Sequence, residues 1–325
     1  MIKSPQFYLM GLLFIFVAGC QQTSSLVGEP KSWFGGGCTM PPPTNRQCFA
    51  TASMPAQRAQ STVFMLAAGA DTGKLVKTSS DIENFSQAMQ GYFKIPPAQI
   101  CQLPNAFKAE LETALQSLRE HLAQNDLVII YFSGHGTFIE DNNGDEKDGW
   151  DEILVTYDTK CKKKVKDDDG LRDDYFVKLV NRLPTNRVLT VMDTCFSSGM
   201  ALGSSLPNPL VANAQSKFLV KGKWGIPKLN FPAATKNTIK NEVGRLDSLK
   251  GLLLAAANEK QTALEIPEGG LFTVKFVKQL SQYADFKKAF IQTAQQVQEI
   301  TQRSQFPQTP QKIGRWEILQ YHKIN

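Results

Sequence analysis

Two short segments carry residue types that do covalent chemistry. Ser133-Gly134-His135-Gly136 follows the apolar run Leu127 to Phe132, and Asp193-Thr194-Cys195 follows the run Arg187 to Met192. A thiol becomes a strong nucleophile when it loses its proton, and imidazole is the side chain suited to take that proton near neutral pH. In an open parallel sheet, ligands bind beyond the carboxyl ends of the strands, so a His and a Cys that end two strands face one crevice. Glycines on both sides of His135 let a substrate backbone approach, and Gly136 offers an amide N–H to a developing oxyanion. The other two histidines are poorly sited, His121 late in a helical stretch and His322 near the C-terminus. Either residue alone is ordinary, because a Cys after an apolar strand is commonly a small core residue. The pair carries the weight: His135 as general base and Cys195 as nucleophile.

The elements that must position this pair are legible as alternating strands and helices. Val63-Phe64-Met65-Leu66, ending at Ala67-Ala68-Gly69, reads as a buried strand. Ser80-Asp81 caps a helix with Ile82, Phe85, Met89 and Phe93 on its apolar side, and Asn105 opens another with Leu111, Leu115, Leu118 and Leu122. Asp173-Asp174 starts a third, carrying Phe176, Leu179 and Val180, and Gly251 to Ala256 is a further strand. Strands that are apolar on both faces predict an α/β fold with a mostly parallel sheet, of roughly six strands, flanked by helices.

Two stretches interrupt this grammar. Glu140 to Asp174 is acidic apart from the basic patch Lys160 to Lys166, and Ala201 to Lys250 reads as a long loop insertion with eight Lys/Arg against two acids. Long loops inside a compact domain are usually functional. Overall, 36 Lys+Arg against 30 Asp+Glu in 325 residues gives a net charge of +6. That charge is too dilute, and too free of basic-aromatic stripes, for nucleic acid to be a partner.

The N-terminal residues predict export. One Lys precedes an apolar run from Phe7 to Val17, too short to span a bilayer and followed by small residues. Val17-Ala18-Gly19-Cys20 resembles a bacterial lipobox, which implies a signal peptide over 1–19 and a lipid on Cys20. A tether over 20–60, rich in Gly, Pro, Ser and Thr, would then carry a domain spanning 61–325. Gln21 after the Cys points, by analogy with Gram-negative sorting, to a cell-envelope protein anchored in the outer membrane. With Cys20 acylated and Cys195 free, four cysteines remain and allow three pairings. Cys38 and Cys48, which bracket a short Pro-rich loop, form the favoured pair, with four reduced thiols as the equal alternative.

Tyr131-Phe132-Ser133-Gly134-His135-Gly136 and Asp193-Thr194-Cys195 resemble the two catalytic motifs of metacaspases, cysteine peptidases of caspase-like fold. The His precedes the Cys by 60 residues, in the order of caspases, where the gap is about 50. The resemblance runs from about Ser61 to Leu319, through Asp148 to Glu152, Asp173-Asp174, Ala257 to Glu265 and Gly270 to Thr273. It implies amide hydrolysis by His135 and Cys195, with the N–H groups of Gly136 and Cys195 as oxyanion hole. It also implies an acidic pocket of Asp81, Ser133 and Asp193 for Arg or Lys before the cleaved bond of a protein or peptide substrate. Calcium is the implied ion, on Asp151, Asp173 and Asp174, and no organic cofactor is implied. Asp141, Asn143, Asp145 and Glu152 also fall at EF-hand-like spacing, although Glu146 replaces the turn Gly. Phe196-Ser197-Ser198-Gly199 departs from the family's shorter His-Ser-Gly, which touches the pocket beyond Cys195 and leaves the dyad intact. The rival reading is a catalytically inactive lipoprotein of the same fold that binds peptide or calcium.

Overall fold

The computed structural model describes residues 38–43, 46–140, 150–162, 169–195, 211–219, 245–258, 261–304 and 306–320. The elements, in chain order, are β1 (Val63–Gly69), α1 (Thr78–Phe93), β2 (Ile100–Pro104), α2 (Lys108–His121), β3 (Leu127–Ser133), β4 (Gly136–Glu140), β5 (Trp150–Val155) and β6 (Gly170–Arg172). Then follow α3 (Asp173–Asn181), β7 (Val188–Asp193), β8 (Gln215–Ser216), β9 (Leu252–Ala255), β10 (Leu264–Ile266), β11 (Gly269–Gly270), α4 (Leu271–Gln282), α5 (Phe286–Thr301) and β12 (Gln311–Gly314).

Six strands form the main sheet in the order β12-β9-β7-β3-β1-β2. All neighbours are parallel except the edge strand β12, which runs antiparallel to β9. The unbroken apolar strands follow from burial on both faces, since alternate side chains of a strand point to opposite sides. Phe64, Leu66, Val128, Ile130, Phe132 and Met192 meet α2 and α3 through Leu111, Leu115, Leu118, Phe176 and Val180. The intervening Met65, Ile129, Tyr131, Leu189 and Val191 meet α1, α4 and α5 through Ile82, Phe85, Phe272, Phe276 and Phe290. Tyr131 stacks on Phe85 with ring centroids 4.0 Å apart. Two small antiparallel sheets, β4-β5-β6 and β11-β10-β8, stand beside the main one.

Several details differ from the sequence-based expectations. Asp71 takes the Thr78 N–H and hydroxyl at the start of α1, while Asp81 sits a turn inside the helix with its carboxyl elsewhere. Asn105 does not open α2. It adopts φ of 54°, a left-handed conformation that Asn tolerates, and its Oδ1 accepts the Asp71 N–H. The helix begins at Lys108 instead. The acidic stretch after Glu140 contains β5 and β6, and the basic stretch after Ala201 contains β8.

The expected tether ends earlier than residue 60. Arg46 binds both Glu110 oxygens, Arg58 binds both Asp126 oxygens, and Phe49 is buried beside Phe64. Cys48 pairs with Cys101 of β2, Cα atoms 5.3 Å apart, and so not with Cys38. Loop proximity suggested the shorter pairing, but the cysteine nearest in space came from a strand 53 residues away. Closing a loop of that length stabilises the fold by about 4 kcal/mol in the chain-entropy model.

Candidate active site

Strands β3 and β7 are direct neighbours, and their register sets Ser133 opposite Asp193. Two residues beyond these lie His135 and Cys195, which therefore emerge at the same end of the sheet. His135 is 3% exposed and Cys195 is fully buried. Gly136 presses on the Cys195 carbonyl: a Cβ added there would stand 1.6 Å from that oxygen, so only glycine fits.

The sulfur is held at rest. Cys195 Sγ lies 2.8 Å from Thr262 Oγ1 and accepts the Ala263 N–H at 3.0 Å. Burial pushes the thiol up to about 12, against the lowering effect of Thr262, the Ala263 amide and Lys217. Cys195 is therefore a protonated thiol in this arrangement. Thr262 falls within the Ala257 to Glu265 segment, but nothing in its sequence context marks it as a partner of the sulfur.

Asp81, Ser133 and Asp193 do come together, from α1, β3 and β7. Ser133 Oγ donates to Asp81 Oδ2 at 2.7 Å, and Gly270 N–H donates to Asp81 Oδ1 at 2.8 Å. At the head of α4, the Thr273 hydroxyl and N–H both donate to Asp193 Oδ2, at 2.6 and 3.2 Å. The Tyr131 hydroxyl bonds in turn to Thr273. Gly270 lines the floor, where a Cβ would strike Asp193 and the pocket's occupant.

That occupant is Lys217, which sequence reasoning did not single out. Its side chain is fully buried, and its Nζ lies 2.9 Å from Ser133 Oγ, 3.1 Å from Asp193 O, 3.1 Å from Asp193 Oδ1 and 3.3 Å from Asp81 Oδ2. An ammonium has three hydrogens to place, and this cradle supplies acceptors for all of them. Burial works against the lysine's charge, but Asp193, Asp81 and Glu265 more than offset it and hold its pKa above the usual value. Asp81 shifts upward as well, through burial and then Asp193, with Lys217 opposing. Two carboxylates share one ammonium, which accounts for a raised acid beside a raised base. Glu265, another unassigned acid, faces Lys217 from β10 and accepts the N–H groups of Val76 and Lys77.

The main chain around Lys217 is extended across the site. Its carbonyl accepts the Gly136 N–H at 2.9 Å, and its own N–H donates to Ala263 O at 2.9 Å. Upstream, Ser216 pairs antiparallel with Leu264, and downstream Phe218 bridges in parallel to Gly136.

Asp151 on β5 is ion-paired to Arg172 on the adjacent β6, and Asp173 and Asp174 begin α3 directly after it. Among the described residues, no three His, Cys, Asp or Glu side chains gather in a metal-holding group. Asp141, Asn143, Asp145, Phe196 to Gly199 and Cys20 lie outside the described residues.

Fold and site together define a caspase-type α/β protein. The Caspase domain family, Peptidase C14, matches residues 64–315, and the chain belongs to that family. Metacaspase-1 of Ajellomyces capsulatus is 28% identical over 133 residues, which is 41% of this chain and 35% of that protein. Metacaspase-1B of Aspergillus oryzae is 32% identical over 108 residues, covering 33% and 24%. The matched part thus spans about a third or less of these relatives' length. A solved structure from Geobacter sulfurreducens shares the fold at 20% identity and a TM-score of 0.52, covering 78% of this chain and 94% of that one.

Proposed function

We propose that the protein is a cysteine endopeptidase that cleaves after Arg or Lys. The observation that carries this reading is Lys217: a basic side chain fills the Asp81–Ser133–Asp193 pocket while its carbonyl oxygen accepts the Gly136 N–H. Cys195 then forms a bond to the substrate carbonyl carbon as His135 takes the thiol proton. The N–H groups of Gly136 and Cys195 hold the oxyanion. The C–N bond breaks, the amine leaves with the proton from His135, and water hydrolyses the thioester. A rate of release from Arg, Lys and Asp reporter peptides, compared between wild type and Cys195→Ala, tests it. Cleavage of basic reporters that vanishes in the variant is expected, and undiminished cleavage in the variant would reject it. Retained binding without cleavage in either protein would favour the inactive binder.

The same observation supports self-processing, because Lys217 belongs to the basic stretch 201–250. Calcium enters as a regulator: Asp173 and Asp174 at the head of α3 and Asp151 beside them are the residues that would hold it, once Arg172 gives up Asp151. An exported, lipid-anchored envelope protein is the matching location. The Cys48–Cys101 disulfide supports an oxidising compartment. No helix among the described residues is long and apolar enough to cross a membrane. Cys20→Ser should move the protein from the membrane to the soluble fraction, and unchanged attachment would reject the anchor.

A further inference from the structure

Lys217 and Phe218 lie on the two sides of one peptide bond and face different chemistry. While the lysine enters the acidic pocket, the Phe218 ring stacks on Phe138 of β4, centroids 5.6 Å apart and planes 25° from parallel. Phe138 in turn meets the edge of Trp150 on β5, centroids 5.0 Å apart at 73°. Glu140 pairs with Trp150 and Phe138 with Glu152 across the β4–β5 ladder, so the two rings are fixed by strands of one small sheet. The chain beyond the bond is held too: Leu219 N–H donates to Gly136 O at 3.0 Å, and Thr137 Oγ1 donates to Leu219 O at 2.9 Å. Such strand addition takes affinity from the main chain and specificity from pockets on alternate sides.

The carbonyl on the Gly136 N–H is that of Lys217, which marks Lys217–Phe218 as the bond offered to Cys195. The residue after that bond therefore stacks on Phe138, whose ring is backed by Trp150. We propose that Phe138, held in place by Trp150, forms a subsite for an aromatic side chain immediately after the cut, so that basic–aromatic sequences are the preferred substrates. This rests on reading Asp81, Ser133 and Asp193 as the pocket for a basic residue. Glycine or alanine after the cut leaves the Phe138 face bare, whereas a ring stacks there as Phe218 does. A stacked pair adds to burial, and a preference of about tenfold for Phe over Ala is the expected scale.

Two internally quenched peptides, identical except for Lys-Phe or Lys-Ala at the cut, test this with the full-length protein after incubation. A Lys-aminocoumarin reporter, which has no residue after the cut, is run alongside. The Lys-Phe peptide should show the higher kcat/KM, and Phe138→Ala and Trp150→Ala should each bring the ratio toward one. Phe138→Tyr should keep it. Coumarin release with equal cleavage of the two peptides by wild type would overturn the aromatic subsite and leave the basic pocket standing. Failure on all three substrates would overturn the basic-pocket reading beneath it. A preference unchanged in both alanine variants would assign the discrimination to other residues and overturn this proposal.

Discussion

Lys217 Nζ lies 3.1 Å from Asp193 Oδ1, and neither side chain is exposed to solvent. A buried ammonium is tolerated where carboxylates and hydrogen bonds replace its water, and here one is delivered by an extended strand lying between β10 and Gly136. On the proposed reading, a substrate residue that takes its place would be cationic as well. Removing the charge of Asp193 leaves Thr273 bonded to an amide and the incoming cation short of a partner. Asp193→Asn should therefore lower kcat/KM for Arg and Lys reporters by about 2–5 kcal/mol in transition-state binding, the range for breaking a buried charge pair. Cleavage after Asp should be absent in both proteins, since a substrate carboxylate would face like charge. An Asp193→Asn enzyme with undiminished Arg cleavage would remove Asp193 from the pocket.

A lysine already seated in the pocket has a consequence for the chain itself. Attack on the Lys217 carbonyl would be intramolecular, so its effective concentration would be far above that of any dissolved peptide. Incubated wild-type protein should yield a fragment whose first residue is Phe218, and Cys195→Ala should not. Lys217→Ala should abolish that fragment while other basic sites in 201–250 stay available. Mass spectrometry of the new N-termini reads this directly, and identical intact masses for wild type and Cys195→Ala would refute self-processing.

The sheet and the approach of its two strand ends were legible because β3 and β7 are continuous apolar runs, each followed at once by a chemically unusual residue. Asp81, Ser133 and Asp193 were named from motif resemblance, and tertiary packing brings them together around one ammonium. Lys217 was not legible. A single Lys in a stretch with eight basic residues carries no local mark of burial, and its role is set by strand pairing with Leu264 and Gly136 far along the chain. The disulfide failed for the same reason, since sequence spacing ranks near neighbours first while folding brought Cys101 to Cys48. Helices α4 and α5 were not predicted, although Phe272, Phe276 and Leu280, then Phe286, Phe290 and Val297, stand at helical spacing.

Calcium faces a resident competitor, because the Arg172 guanidinium already neutralises Asp151. Binding would have to separate that pair, so the ion should act at higher concentration than a free carboxylate cluster would need. Arg172→Gln is expected to lower the calcium concentration that shifts the melting temperature, and Asp173→Ala to blunt the shift. Chelation should reduce activity on Lys reporters. Full activity in excess chelator, together with no melting shift on adding calcium, would reject calcium regulation.

Burial first, and Asp193 second, hold Cys195 protonated, while Thr262, the Ala263 amide and Lys217 pull the other way; the balance stands at about 12. Alkylation proceeds through the thiolate, so at pH 8 only about one molecule in ten thousand would be reactive, against a substantial fraction for a free cysteine of pKa about 8.5. Iodoacetamide labelling of Cys195 in uncut protein should rise about tenfold per pH unit from 7 to 10 with no plateau. The sign for stability follows from the same shift. The folded form holds this proton more tightly than the unfolded chain does, so the stabilisation is present below about 8.5 and is lost as pH climbs toward 12. Lys217, also shifted upward, loses its contribution in the same direction as pH passes its folded value. For the Lys217–Phe218 bond to be cut, His135 has to draw this proton from the resting thiol, so self-cleavage is expected to be slow. A plateau at pH 8 to 9 in the uncut Lys217-occupied protein would show that the sulfur is already activated, and would sink the resting-thiol account.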